Sequence, residues 1–231
     1  MARKMKIDNA VLKRQAFKKK PRAENNRIPN LVKGFLIVTE GVKTEPNYFE
    51  SIRRTLPNHA LELIVIKGAG ANTLQVVEKA KELRDESSTL FDHVWAVFDR
   101  DSFPPKNFNT AIQQAKSWGI ETAWTNEAFE LWYLLHFQFV QNGMSREQYR
   151  PFLERELTQR MELPFTYQKN RADMYDLLQK YGDEKQAIEW AKQLENLFIG
   201  ETDFANHNPC TKVHVLIDAL NSLKNVLKIN N

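Results

Sequence analysis

The chain has 231 residues, of which 42% are hydrophobic, so it is long enough for one sizeable core or for a core with a smaller lobe. Its single cysteine, Cys210, excludes an intramolecular disulfide and gives no indication of an oxidising compartment. The formal net charge of +4 is unevenly distributed, because residues 1–33 contain eleven Lys and Arg against only Asp8 and Glu24.

Residues 1–33 are interpreted as a basic N-terminal arm. Such an arm favours contact with a polyanion, with a solvated tail as the alternative. The start of the chain, MARKMKID, lacks the apolar run of a signal peptide. The most apolar stretch, Phe129–Phe139, is about half of the ~20 residues that a membrane helix needs. We therefore expect a cytoplasmic protein that does not enter a membrane.

After the arm, four apolar runs alternate with helical patterns. The predicted strands cover residues 35–38, 61–66, 94–98 and 121–124, and the predicted helices between them cover about 45–56, 74–85 and 108–118. Continuous apolar runs of this kind are typical of central strands in a parallel sheet with helices on both faces. The alternation predicts an α/β fold with a mostly parallel, four-stranded sheet.

From Asn126 onward the pattern becomes helical. The stretch from Phe129 to Phe137 is too apolar for a surface helix, so we predict a buried helix that begins at Asn126. Weaker helical patterns follow at residues 146–161, 171–180 and 185–197, and Pro209 is predicted to open a last helix. We interpret residues 34–140 as an α/β core that carries the site, and residues 141–231 as a helical region packed on that core.

Two of the apolar runs end in carboxylates. Glu40 follows the first strand, and Asp99 and Asp101 follow the third. In open parallel sheets, ligands bind outside the carboxyl ends of the strands, where the strand order reverses. Each acid alone also fits a turn or cap position, but three together repel one another unless a cation neutralises them. We predict that they bind Mg²⁺ or Mn²⁺, which requires strands one and three to be neighbours in the order 2-1-3-4.

The residues after Glu40 are suited to holding a phosphate. Gly41 permits a tight turn and a close approach to the backbone, and Lys43 and Thr44 lead into a helix N-terminus. Lys43 is equally explained as an exposed loop residue, and Thr44 as a helix cap. Glu45 is either an outer carboxylate of the site or an acid favoured by the helix dipole. The pattern of a Walker A loop is absent.

Asn126 and Glu130 follow the fourth strand and are therefore expected at the same edge of the sheet. Glu130 lies in an apolar helix, where an unpaired carboxylate is costly, so it needs a metal, a basic partner or a backbone donor. We assign Glu130 to the catalytic residues. Asn126 and Lys169, with Gly41, Lys43 and Thr44, are the predicted substrate contacts.

Three spaced motifs, FLIVTEGVKTEPNYFE, VWAVFDRDSFP and NEAFELWYLLHF, resemble the RloB-like family. Thr39-Glu40-Gly41 and Phe98-Asp99-Arg100-Asp101 are also similar to the two signatures of a TOPRIM domain. RloB-like proteins are TOPRIM-containing proteins associated with restriction and phage-defence loci. The resemblance covers residues 34–225 and is weaker at residues 167–169 and 208–211. It implies a TOPRIM/Rossmann-like sheet.

The resemblance further implies a Mg²⁺-binding site, with Glu40 as general acid or base and Asp99 and Asp101 as metal ligands. Ser102-Phe103-Pro104 stands where the family often has a glycine, and Cys210 where we expect serine. We therefore expect a metal-dependent nuclease that acts on DNA or RNA in anti-phage or restriction-associated defence, together with a partner protein from a defence locus. The alternatives are a nucleic-acid or nucleotide-binding subunit whose acidic site is sensing or inert, and an enzyme of nucleotidyl transfer.

Overall fold

The structure is a computed structural model that describes residues 34–100 and 104–229. These described residues belong to one compact unit. The predicted basic arm and Asp101 both lie outside the described residues.

The described residues form one sheet and a set of helices. The strands are β1 (Phe35–Thr39), β2 (Ile64–Gly68), β3 (His93–Asp99), β4 (Glu121–Asn126) and β5 (Cys210–Thr211). The α-helices are α1 (Thr44–Arg54), α2 (Thr73–Glu86), α3 (Pro105–Ser117), α4 (Glu130–Leu134), α5 (Arg146–Met161), α6 (Met174–Tyr181), α7 (Glu184–Asn196) and α8 (Val213–Ile229). Two short 3₁₀ helices cover Asn58–Leu63 and Phe204–Asn206.

The strand order is β2-β1-β3-β4-β5. The first four strands are parallel, which confirms the predicted α/β class and the order 2-1-3-4. The sheet has a fifth strand that was not predicted, because β5 is only two residues long and pairs antiparallel with the end of β4. Two residues carry no alternation from which a strand can be recognised.

The two faces of the sheet bury different side chains because successive residues of a strand point to opposite sides. On one face, Leu36 and Val38 of β1 contact the apolar residues of α2 and α3. On the other face, Phe35 and Ile37 belong to a larger core formed with α1 and the C-terminal helices. Burial on both faces explains why these strands read as unbroken apolar runs.

Three predicted boundaries are wrong. Residues 61–63 belong to a 3₁₀ helix, and β2 begins only at Ile64. Asn126 ends β4 instead of opening a helix, and the buried helix α4 covers just Glu130–Leu134. The last helix begins at Val213 because residues 210–211 pair with β4.

No helix in the described part of the chain is long and apolar enough to cross a membrane.

Candidate active site

The parallel pairing of β1 and β3 places Glu40 beside Asp99. Thr39 is in register with Val97, and the backbone N–H of Glu40 donates to the Val97 carbonyl at 2.8 Å, so the ladder continues past the end of β1. Glu40 Oε2 in turn accepts a hydrogen bond from the backbone N–H of Asp99 at 3.1 Å. Both residues therefore lie at the carboxyl edge of the sheet.

The loop after β1 is held against the end of β2. The Gly70 N–H donates to the Glu40 carbonyl at 3.0 Å. A Cβ on Gly68 would lie 2.8 Å from Val42 Cα and 2.9 Å from the Gly41 carbonyl oxygen, closer than real Cβ atoms come. Glycine at position 68 is therefore what allows the backbone of β2 to support the loop that carries Glu40.

A cavity of about 410 Å³ opens between this loop, the start of α5 and residues 169–170. Among the described residues it has three acidic and three basic side chains in its wall, together with small or polar neighbours. The lining residues are Glu40, Gly41, Val42, Lys43, Thr44, Glu45, Asp99, Arg146, Lys169 and Asn170. Four of the five predicted substrate contacts and two of the predicted acids are thus found around one space.

Asp99 is a buried acid of the cavity, with a side chain that is 9% exposed. Burial raises its pKa well above the usual range, and the neighbouring Glu45, Glu130 and Glu40 raise it further. The Arg146 guanidinium acts in the opposite direction but does not cancel these effects. Asp99 therefore lies where added positive charge stabilises its ionised form.

Arg146 was not predicted as a site residue. Its Nη2 donates to Asp99 Oδ2 at 3.2 Å, which makes it a direct partner of the buried acid. The Ser145 N–H donates to Gln148 Oε1 at 2.8 Å and fixes the start of α5, so that Arg146 is the first residue of the helix. The S-x-x-Q spacing predicts the start of the helix. The contact of Arg146 with Asp99, 47 positions away, depends on how α5 packs against α4.

Glu45 is buried in the first turn of α1 with its carboxylate turned towards Gly41. A Cβ on residue 41 would clash with Glu45 Oε2, so the glycine makes room for the acid. Burial raises the pKa of Glu45, as does the nearby Glu130, while Lys169 and Arg146 lower it. Glu45 thus belongs to the site in addition to favouring the helix terminus.

Glu130 lies behind the cavity and does not line it. Its carboxylate is buried and accepts a hydrogen bond from the Tyr167 hydroxyl at 2.9 Å. Burial raises the pKa of Tyr167 and Glu130 adds to the effect, so the phenol remains a donor. Asn126 is also away from the cavity, since its side-chain amide donates to the Ala205 carbonyl at 2.9 Å. Asp101 lies outside the described residues.

One side of the cavity is closed by residues 165–172, which we name the wall segment. It contains no helix or strand, yet its carbonyl groups are bound along one face of α1. Three side chains spaced by three and four residues donate to these carbonyls: Thr44 to Lys169 at 2.7 Å, Asn47 to Asn170 at 3.1 Å, and Ser51 to Ala172 at 3.1 Å. Thr44 therefore positions the wall segment, and no cap bond from Lys43 or Thr44 to α1 is observed.

The N–H groups of the wall segment are bound on the opposite side by α5. Phe165 donates to Thr158 Oγ1 at 3.0 Å, and Tyr167 donates to Glu154 Oε1 at 2.9 Å. The segment is therefore held between two helices by its own backbone. This arrangement fixes the backbone from which the exposed Lys169 side chain reaches the cavity.

The donor atoms fit a hard divalent cation. Glu40, Glu45 and Asp99 offer carboxylate oxygens, the ligands that Mg²⁺ and Mn²⁺ prefer, and the pKa of Asp99 is raised by burial and then by the neighbouring acids. Among residues 34–100 and 104–229, no three His, Cys, Asp or Glu side chains are grouped as a ready-made metal site. The chemistry of these oxygen donors fits the ion, although the described carboxylates are not gathered as closely as a formed metal site requires.

Comparison with known proteins gives one result. The family model described as RloB-like protein matches residues 35–220, which include all five strands and every residue that lines the cavity. No curated protein and no solved structure matches the chain.

Proposed function

The chain belongs to the RloB-like protein family, and from this premise we propose that it is a Mg²⁺- or Mn²⁺-dependent enzyme that cleaves phosphodiester bonds in nucleic acid. One observation carries the proposal. Glu40 and the buried Asp99 meet at the carboxyl edge of a parallel sheet, beside a cavity that also presents Lys43, Arg146 and Lys169. Carboxylates to hold a cation and basic groups to hold a phosphate are the two requirements of such chemistry.

In this proposal Asp99 and Asp101 hold the cation, with Glu40 close to both the cation and the reacting groups. The cation, when bound, stabilises the negative charge that develops on the phosphate. Glu40 takes a proton from the attacking water or gives one to the leaving oxygen. Its hydrogen bond to the Asp99 N–H fixes the direction of its carboxylate, which is what a general acid or base needs.

The basic residues of the cavity bind and orient the phosphate. Lys43 belongs to the loop after β1 and Lys169 to the wall segment, and the N-terminus of α1 adds the positive end of its dipole. The basic arm, residues 1–33, would add affinity that is independent of sequence and falls with salt.

The TOPRIM-type character of the sheet and a role in phage defence, with a partner protein from the same locus, are part of the proposal. The sheet order and the acidic positions after β1 and β3 support the first of these. The family assignment supports the second.

A cleavage assay tests the proposal. Labelled single-stranded DNA, double-stranded DNA and RNA are incubated with Mg²⁺ or Mn²⁺ and the wild-type protein, Glu40→Gln or Asp99→Asn. The matched control is Glu121→Gln, which removes a carboxylate at the opposite edge of the sheet, where it pairs with His93. Cleavage by the wild type and the control, lost in both site variants and on chelation of the metal, supports the proposal. Equal cleavage in all four proteins refutes it.

A second candidate function is a nucleotide-binding subunit with no catalysis of its own. The ion pair between Arg146 and Asp99 favours it, because an arginine can replace a metal as the partner of the acid. Titration with Mn²⁺ separates the two functions. Binding that is lost in Asp99→Asn supports the enzyme, and its absence in the wild type supports the binding subunit.

A further inference from the structure

We propose that Arg146 is an exchangeable counterion: it neutralises Asp99 in the metal-free protein, and it moves to the phosphate of the substrate once Asp99 binds a divalent cation. The inference rests on the proposed function and adds a positioning residue that couples metal binding to substrate binding.

The geometry of the contact between Arg146 and Asp99 indicates that another cation can replace the arginine. Its N–O distance of 3.2 Å is longer than the ~2.7–2.9 Å usual for a hydrogen bond between an arginine and a carboxylate. The two side chains also differ in access to solvent, since Arg146 is 27% exposed and Asp99 only 9%. Arg146 therefore reaches inward from the rim to an acid that is fixed in the sheet.

A single positive charge does not balance the acids around Asp99. Glu40 accepts a hydrogen bond from the Asp99 N–H at 3.1 Å, and Glu45 lines the same cavity, so three carboxylates lie around one space. A divalent cation supplies twice the charge of a guanidinium at the same carboxylate. A guanidinium and a divalent cation at the same carboxylate would also repel each other, and partial burial of the site would strengthen this repulsion. Asp99 therefore favours the divalent ion, and Arg146 must move away from it.

The cavity gives the displaced guanidinium a new partner. Arg146 lines the same space as Lys43 and Lys169, where the substrate phosphate is proposed to bind. The planar guanidinium matches phosphate oxygens with two parallel donors, which a lysine cannot do. The hydrogen bond from the Ser145 N–H to Gln148 Oε1 at 2.8 Å keeps the start of α5 in place, so the exchange occurs by rotation of the Arg146 side chain.

The test uses Mn²⁺ alone as the first probe, with free Mn²⁺ measured by electron paramagnetic resonance. Arg146→Ala is expected to bind Mn²⁺ more tightly than the wild type, by about 5- to 150-fold, since a competing cation is removed. The control Arg150→Ala removes the same charge one turn further along α5, where the side chain is 59% exposed and pairs with Glu154. It should bind Mn²⁺ as the wild type does. Unchanged or weaker Mn²⁺ binding by Arg146→Ala overturns the inference.

The second probe is inorganic phosphate, added by calorimetric titration in saturating Mg²⁺. Arg146→Ala should lose phosphate affinity although its metal affinity has risen, and Arg150→Ala should not. If Arg146→Ala fails to fold, Arg146→Gln takes its place, because the amide keeps a donor for Asp99 without the charge. If either folded variant loses affinity for both Mn²⁺ and phosphate, Arg146 only supports the structure around Asp99. That result overturns the inference.

The same titrations separate this inference from the proposed function. If the wild type binds Mn²⁺ through Asp99 but Arg146→Ala binds it no more tightly, only the exchange is refuted. If the wild type binds no Mn²⁺ at all, the proposed function fails, and the exchange fails with it.

Discussion

The hydrogen bond between Tyr167 and Glu130 allows a prediction about stability that is independent of any activity. The Tyr167 hydroxyl donates to Glu130 Oε1 at 2.9 Å, and both side chains are about 5% exposed, so water has little access to replace the donor. The raised pKa of Tyr167, caused by burial and then by Glu130, keeps the phenol protonated and able to donate. The substitution Tyr167→Phe removes this donor and leaves the ring in place.

The expected loss follows from the chemistry of the acceptor. A hydrogen bond to a charged group contributes about 1.5–3 kcal/mol to the free energy of unfolding, and an acceptor left unpaired in a buried place lies towards the upper end. For a protein of this size, 1 kcal/mol corresponds to about 2–4 °C in Tm. Tyr167→Phe should therefore lower Tm by about 3–12 °C.

Urea unfolding and thermal melting of the wild type and Tyr167→Phe measure the effect. The control is Tyr181→Phe, which removes the same hydroxyl from a half-buried tyrosine at the end of α6 and should change the free energy of unfolding by less than about 0.5 kcal/mol. A double-mutant cycle with Glu130→Gln isolates the pair. If Tyr167→Phe is no less stable than the control, or if the cycle shows no coupling, the reasoning about the buried acid is wrong.

Three further substitutions probe the surroundings of the cavity. Gly68→Ala should lower the free energy of unfolding by about 1–3 kcal/mol, because the new Cβ meets the backbone at Gly41. It should also reduce cleavage. An unchanged urea unfolding curve would contradict this prediction. Thr44→Val removes the bond to the Lys169 carbonyl, so it should cost about 1 kcal/mol and increase hydrogen exchange in the wall segment, whereas unchanged exchange would argue against that contact. Burial and neighbouring charge raise the pKa of Glu45 in the folded state, so the native protein binds more protons than the unfolded chain and loses stability as pH rises through that range. The Tm of Glu45→Gln minus the Tm of the wild type should therefore increase from acidic to neutral pH. A difference that stays constant with pH would refute this prediction.

The strands and their order could be predicted from the sequence because β1 and β3 are buried on both faces. Their side chains must be apolar at successive positions, and this pattern is visible locally. The meeting of Glu40 and Asp99 follows from the parallel pairing of β1 with β3, since Glu40 comes directly after β1 and Asp99 is the last residue of β3. The short strand β5 and the five-residue helix α4 are set by contacts with distant parts of the chain, so no local pattern reveals them.

The basic half of the site was harder to predict than the acidic half. Arg146 belongs to a helix with many exposed charges, and nothing in its neighbourhood distinguishes it from Arg150 or Arg155. Only the packing of α5 decides that one of these arginines reaches Asp99. Lys169 was predicted as a substrate contact from a small polar cluster, but its segment has no regular structure, and its position depends on side chains from α1 and α5.

The central claim is that Asp99 binds a divalent cation beside Glu40 at the carboxyl edge of the sheet. A crystal soaked in Mn²⁺ and measured at the manganese absorption edge tests it directly. The account predicts an anomalous peak about 2–2.5 Å from an Asp99 carboxylate oxygen and close to Glu40, with the Arg146 side chain turned away from Asp99. A crystal soaked in saturating Mn²⁺ that shows no peak there, with Arg146 still paired with Asp99, would contradict the claim.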